Sequence, residues 1–468
     1  MAESVYKRCR CRGQDGRELG PACPALRRAD GTLNPRHGTW YFRLELPPGP
    51  GGKRRPALRR GGHATRADAV AAREAARGKL RAGADPASRV TLGRYLPEWL
   101  AGRPDLKASA RRSYAGHIRV YLAPLIGHID LDRLRAADIT GMFAAIEAWN
   151  TGLAEGRPVR KSQHHVGAAT MQRIRATLRA ALNDAVRDGL IPFNPASRVR
   201  MAPERKPRPL VWTRERTEAF WAGHARQVAE AGPAADPFKI WRDVSLRPRR
   251  VMVWTPQQTG TFLDYAAADR LSALFETVAA TGERRGEACG QRKADFDLDA
   301  GTLTITAARL AMGREVVDET PKSDAGQRTV ALDAGLVAVL KAHFARQAAD
   351  RLAWGEAWAG TGLAFTREDG APLHPNTVSG RFARLAFSAG LPPIRFHDLR
   401  HGAATYSLAA GVDVKVVQDR LGHSTSALTR DTYTSVLPDV AAAAAEATAA
   451  MIPRAGGRGG LPADSPAP

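Results

Sequence analysis

Two stretches decide how the rest of the chain is understood: "RFHDLRHGAAT", residues 395–405, and "DRLGHSTSALTRDTY", residues 419–433. The first packs His397, Arg400 and His401 into one short run. His397 and Arg400 are three residues apart, so on a helix they share a face. Asp398 falls in the expected first turn, where a carboxylate favours the helix dipole, and the apolar "AATYSLAAG" carries the helix on. In the second stretch a helix is expected to end at Gly422, with His423 next and Tyr433 ten residues beyond it. A metal site would need further ligands at suitable spacing, and no HExxH, CxxC or carboxylate cluster accompanies these residues. A planar guanidinium beside an imidazole suits a phosphate.

Two upstream stretches add cations. "TGERRGEACG" (281–290) puts Arg284 and Arg285 at a helix start near Glu287, and "TPKSDAGQRTV" (320–330) puts Lys322 on an expected hairpin. An Arg in a TGxRxGE context, a Lys on a β-hairpin, then HxxR, LGH and a Tyr, in this order, resemble the tyrosine recombinase (phage integrase) family over about 253–437. The helical region 90–200 resembles that family's core-binding domain, and the N-terminal unit resembles its arm-binding domain. Carried over position by position, the resemblance gives Arg284, Lys322, His397, Arg400, His423 and Tyr433 the six catalytic roles. It departs from the family at Glu283, where an apolar residue is usual, and at "ACGQRK" (288–293), which is small and polar.

The chemistry agrees with those roles. Breaking a DNA phosphodiester without a metal needs a nucleophile, positive charge on the non-bridging oxygens and an acid for the leaving 5′ oxygen. Tyr433 would attack phosphorus and hold the strand as a 3′-phosphotyrosyl ester, which a second 5′-hydroxyl can re-ligate without ATP. Arg284 and Arg400 would clamp the phosphorane charge. Lys322 is the expected acid for the leaving oxygen, His397 handles the tyrosine proton, and His423 donates to a phosphate oxygen. Each has a rival: Arg285 for Arg284, Arg328 for Lys322, and Tyr406 for Tyr433, although Tyr406 lies in an apolar run that reads as core. His401 is expected to pack locally and Glu287 to orient Arg284.

The rest of the chain fits this frame. Among its 468 residues, 70 Lys+Arg outweigh 47 Asp+Glu, for a net charge of +23. That excess calls for a polyanion such as DNA, although a GC-rich genome would also enrich Arg and Ala. No apolar run reaches the roughly 18 residues of a membrane span, "MAESVYKRCRCRG" lacks a signal-peptide core, and four cysteines are no disulfide framework. A cytoplasmic, nucleoid-associated protein is therefore expected, with no membrane partner and no cofactor.

The expected architecture is multidomain and mainly α with small β parts. Residues 1–65 form a small basic β-rich DNA-binding unit, with "GTWYFRLELPPGPGGKRRPALRRGG" (38–62) as strand, turn and strand. Residues 66–89 are a connector helix capped by Thr65, and 90–200 a helical domain with Arg173, Arg175 and Arg179 interleaved. Residues 201–250 are expected as a linker or insertion, because Pro and Arg crowd "PERKPRPL" and "SLRPRR". There "VWTRERTEAF" (211–220) echoes "VWTPQQTGTF" (253–262), through a duplicated entry segment or through chance. Residues 251–440 form a mixed α/β catalytic domain, and 441–468 a C-terminal helix and disordered tail. Cys9, Cys11, Cys23 and His37 offer a weak zinc candidate against free thiols; the C-x-C spacing is tighter than a common knuckle. The resemblance further implies double-stranded DNA attachment sites and a homotetramer on two of them. It leaves open a directionality factor and a host DNA-bending protein. A type IB topoisomerase and a non-catalytic DNA-binding regulator are the rival functions.

Overall fold

The computed structural model describes residues 4–48, 52–81, 90–156, 164–201, 209–248, 250–313, 315–319, 327–422 and 446. The chain divides into two compact units, Met1–Arg205 and Lys206–Pro468. Among the described residues no helix is long and apolar enough to cross a membrane.

The first unit opens with an antiparallel sheet of β1 (Val5–Arg8), β2 (Thr39–Leu44) and β3 (Leu58–His63), in that order. The expected β2–β3 hairpin is present, and β1 adds a strand to it. Alternation along the strands buries Val5, Phe42 and Leu44 on one face. Helix α1 (Arg66–Arg81), expected as a connector, closes that face with Ala69 and Ala76. Thr65 and Asp68 cap its start reciprocally, each side chain accepting the other's backbone N–H at 3.1 Å. The opposite face carries stacked Tyr6 and Tyr41 with Arg8 over the Tyr41 ring. On that face Arg43 stands directly across from Arg59. Like charges in register destabilise a sheet, so this face suits an anionic partner.

The helical part of this unit holds α2 (Leu92–Ala101), α3 (Ala108–His117), α4 (Ala123–Ile126), α5 (Ala136–Ala154) and α6 (Ala168–Arg187). Apolar residues at three- and four-residue spacing merge into one core, including Leu92, Leu96, Ile139, Ile146, Ile174 and Leu178. Tyr95 donates to the Ala181 carbonyl at 2.9 Å, and the Trp99 indole to Asp184 at 2.7 Å, locking α2 onto α6. Arg173 and Arg179 of α6 stay exposed.

The second unit begins with β4 (Leu210–Val211), α7 (Arg214–Ala231) and α8 (Pro237–Trp241), then β5 (Met252–Val253), α9 (Pro256–Ala266), α10 (Ser272–Thr281) and α11 (Arg285–Gly290). Of the stretch expected as a linker or insertion (201–250), residues 209–248 pack into the unit, because aromatic burial outweighs the Pro/Arg composition. Trp212, Trp241 and Trp254 are each about 1% exposed and belong to one core. The echoed segments lie side by side. Strands β4 and β5 pair in parallel with Val211 opposite Val253, and Thr213 and Thr255 cap α7 and α9. The three indoles donate to three consecutive carbonyls: Trp241 to Leu391 (2.8 Å), Trp254 to Pro392 (2.8 Å) and Trp212 to Pro393 (3.2 Å).

Next come β6 (Phe296–Asp297), β7 (Thr302–Ile305), β8 (Ala308–Met312), β9 (Glu315–Glu319) and β10 (Arg328–Ala331). Strands β9 and β10, on either side of the stretch expected to carry Lys322 on a hairpin (320–330), do not pair with each other. Strand β9 folds back on β8, with Met312 opposite Glu315 around Gly313, and β10 pairs with β7. Gly313 has φ 80°, which supplies the tight turn. The small residues of "GEACG" let α11 lie against β8: a Cβ at Gly286 would meet the Arg309 carbonyl oxygen at 2.9 Å, and one at Gly290 the Arg309 nitrogen at 3.0 Å. Then follow α12 (Ala334–Trp354), α13 (Pro375–Ser388), α14 (Asp398–Ala409) and α15 (Val414–Leu421). The expected C-terminal helix and tail lie outside the described residues, Glu446 apart.

Trp254→Phe should lose the hydrogen bond to Pro392 and leave the space of the indole's second ring unfilled. A buried carbonyl left unpaired costs about 1–3 kcal/mol, so the melting midpoint should fall by roughly 5 °C. Calorimetry of the purified variant checks this; an unchanged midpoint would mean the carbonyl finds another donor.

Candidate functional site

Helix α15 ends in a left-handed Gly422 at φ 66°, the usual C-terminal cap. Its last carbonyls have no intrahelical partner, and three arginines supply one. Arg328 Nε donates to the Arg420 carbonyl at 2.6 Å, Arg400 Nη2 to Leu421 at 2.7 Å and Arg284 Nη2 to Gly422 at 3.2 Å. The negative end of the helix dipole favours these cations. Arg400 also donates through Nη1 to the Gly282 carbonyl at 2.7 Å, tying the end of α10 to the end of α15. Gly282 is left-handed at φ 71°, and a Cβ there would meet Leu421 at 2.6 Å.

Glu287 organises the arginines. Its carboxylate accepts the Arg284 backbone N–H at 3.0 Å and pairs with Arg284 Nη1 at 2.6 Å and Arg328 Nη2 at 2.9 Å. Burial pushes the Glu287 carboxyl up, but Arg328 and Arg284 outweigh it and hold it below the ordinary carboxylate range. Thus Glu287 orients Arg284, as its position suggested. The Arg284 side chain is 41% exposed and Arg328 only 6%, so Arg284 faces solvent while Arg328 braces from inside. Arg285 points to α13, donating to Asn376 (3.1 Å) and Ser379 (3.0 Å).

Glu283, the departure from the family pattern, is wholly buried between Gln291, which donates to it, and Thr281 at 3.2 Å. Burial, with Glu287 nearby, pushes its carboxyl up to about 8. It is therefore largely protonated at neutral pH and leaves the local charge positive.

His397 precedes α14 and is exposed at the rim. Crowding by its surroundings, then Arg400, keeps its pKa below the ordinary imidazole value, so the ring is neutral at pH 7. His401 lies edge-on beneath it, ring centroids 5.6 Å apart, and burial takes its pKa down to about 4. His401 is a packing residue. The Tyr406 hydroxyl meets the Trp254 carbonyl at 2.8 Å and Thr259 Oγ1 at 2.7 Å, and burial pushes its pKa up to about 12. That makes Tyr406 a poor nucleophile. Lys322, His423 and Tyr433 lie outside the described residues.

The groove beside His397 has no signature of its own in the sequence. About 540 Å³ in volume, it is lined by Arg242, Arg247, Arg285 and Arg395, with Trp241 and Phe382. Two of these arginines come from the stretch read as a linker; the only signal for them was its arginine content. In the first unit, Cys9, Cys11, Cys23 and His37 come together, their ligand atoms all within 4.8 Å of one another. Cys289 is buried in the core, its thiol pushed up to about 12 by burial.

Residues 254–439 match the model of the Phage integrase family. The integrase of Mycobacterium phage L5 is 26% identical over 347 residues, 72% of this chain and 74% of that one. A XerC-like tyrosine recombinase of Caldanaerobacter subterraneus subsp. tengcongensis is 31% identical over 181 residues. That match spans 36% of this chain and 46%, about half, of the relative. The Tn1549 transposon integrase, solved with a circular intermediate DNA, shares the fold: TM-score 0.52, 17% identity, 77% of this chain and 100% of that one.

The raised Glu283 pKa has a thermal consequence. A carboxyl near 8 when folded and about 4.5 when unfolded contributes stability that is present below about 4.5 and lost as pH rises through 8. Glu283→Gln mimics the neutral acid, so its melting midpoint should exceed that of the wild type by a few degrees at pH 8.5 and match it at pH 5. Equal midpoints at both pH values would contradict a buried neutral acid.

Proposed function

We propose, on the premise that this chain belongs to the tyrosine recombinase (phage integrase) family, that it is a site-specific DNA recombinase of the integrase type. The observation that carries this is the convergence of Arg284 and Arg400 on the backbone immediately ahead of His423, inside the segment matching the family. A phosphodiester seated there meets the exposed Arg284 guanidinium. The buried Arg400 adds its charge from below. With Glu283 protonated, Glu287 is the carboxylate that offsets Arg284, Arg328 and Arg400, and the excess positive charge favours a phosphorane over a neutral ligand.

In this mechanism the Tyr433 oxygen attacks phosphorus and the bond to the 5′ oxygen breaks. The phosphoryl group passes to Tyr433 as a 3′-phosphotyrosyl ester, and the 5′ oxygen leaves as a hydroxyl after taking a proton from Lys322. The neutral His397 accepts the tyrosine proton, and His423 donates to a non-bridging oxygen. Attack by a 5′-hydroxyl of a second strand reverses the step, so neither metal nor ATP is consumed. The groove lined by Arg242, Arg247, Arg285 and Arg395 suits the flanking DNA backbone. The helical part of the first unit, with exposed Arg173 and Arg179, acts as the core-binding domain. The sheet face bearing Tyr6, Arg8, Tyr41, Arg43 and Arg59 acts as an arm-binding surface entering a groove. Four protomers act on two sites, so that strands exchange in pairs, integrating or excising a mobile element.

A nicked suicide substrate carrying the cognate attachment site should trap a covalent protein–DNA adduct without added metal or ATP, and Tyr433→Phe should abolish it while leaving DNA binding within about twofold. An adduct forming equally on DNA without a site would favour the topoisomerase reading. No adduct on any DNA would favour the regulator.

A further inference from the structure

The structure assigns a structural zinc site to Cys9, Cys11, Cys23 and His37. The assignment is independent of the DNA chemistry above, because these residues belong to the first unit. Cys9 and Cys11 follow β1, Cys23 sits between two short 3-10 turns (Gly20–Ala22 and Pro24–Leu26), and His37 leads into β2. The four come from separate parts of the loop spanning 9–38, yet their ligand atoms lie within 4.8 Å of one another. Cys11 Sγ and Cys23 Sγ each stand 3.5 Å from the same nitrogen, His37 Nε2. A tetrahedral zinc with sulfur at about 2.3 Å and nitrogen at about 2.0–2.1 Å sets its ligand atoms about 3.5–3.8 Å apart. The two 3.5 Å spacings to His37 are those of a single ion's coordination shell, and the whole set, within 4.8 Å, closes to that shell by small side-chain movements.

The loop also needs such a staple. Connections this long without regular structure are uncommon in a compact unit. Its core consists of Cys9, Cys23 and Leu26, with Cys11 and Leu19 against them, so three of its five members are the proposed ligands. That is too little apolar area to hold the loop. Zinc bound to three thiolates and an imidazole would supply the missing folding energy, and soft thiolates select it over magnesium or calcium. The ion would pin the end of β1 to the start of β2, fixing the sheet that carries Tyr6, Arg8 and Tyr41.

Full-length protein, purified without a metal-binding tag and dialysed against metal-free buffer without chelator, should hold about one zinc per chain by plasma mass spectrometry. Cys289→Ala should retain the ion. Cys23→Ala combined with His37→Ala should lose it. Cys11→His keeps four ligands and the fold, and should still hold about one ion. In the cobalt-substituted chain that variant should lose about a third of the thiolate-to-cobalt charge-transfer intensity, since three thiolates become two. Wild-type zinc content near zero would overturn the assignment. So would a cobalt spectrum unmoved by Cys11→His, or full zinc retained by the Cys23/His37 double variant.

Discussion

The last turn of α15 presents three carbonyls, on Arg420, Leu421 and Gly422, that no helix residue can satisfy. Arg328 from β10, Arg400 from α14 and Arg284 from the start of α11 satisfy them. Three parts of the chain far apart in sequence are thereby fixed to one helix end, and His423 is the next residue. The geometry also concentrates charge. Three guanidinium groups gather there, and Glu287 pairs with two of them, Arg284 and Arg328, while Glu283 is held neutral by burial. An isolated arrangement of this kind would be costly; helix carbonyls and a helix dipole each offset part of it.

A second constraint fixes His397. Leu391, Pro392 and Pro393 immediately precede the "IRFHDLR" segment, and their carbonyls are held by the indoles of Trp241, Trp254 and Trp212. Two of those tryptophans are equivalent positions of the echoed "VWT" segments, set side by side by the parallel β4–β5 pairing. The echo therefore anchors the Pro392–Pro393 backbone that leads into His397. The same region contributes Arg242 and Arg247 to the groove beside His397.

Much of this was legible in the sequence. Arg284, His397 and Arg400 stand out in the sequence as candidates because phosphate chemistry favours such residue types in such an order, and Glu287's contact was readable because a carboxylate three residues after Arg284 reaches both its N–H and its guanidinium. Arg328 was read only as a rival to Lys322, since nothing local shows that a strand residue will reach the end of a helix. The 201–250 stretch reads as a linker or insertion because prolines and arginines mask two widely spaced tryptophans, Trp212 and Trp241, whose partners lie far along the chain. The hairpin pairing was misassigned because the turn at Gly313 is inconspicuous beside the longer polar stretch that follows. Gly286 and Gly290 are what allows α11 to touch β8, and Gly290 belongs to "ACGQRK", a departure from the family pattern.

The claim that the arginine brace positions the site is tested most directly by single-turnover cleavage with Arg328→Met, whose side chain keeps the apolar stem but cannot bond the Arg420 carbonyl. Cleavage rate, DNA affinity and melting midpoint should be measured together. The account predicts a cleavage rate lower by about 100-fold, with affinity within about twofold, and recovery of part of the rate in Arg328→Lys. Wild-type cleavage by Arg328→Met, or a loss accounted for wholly by unfolding, would contradict it.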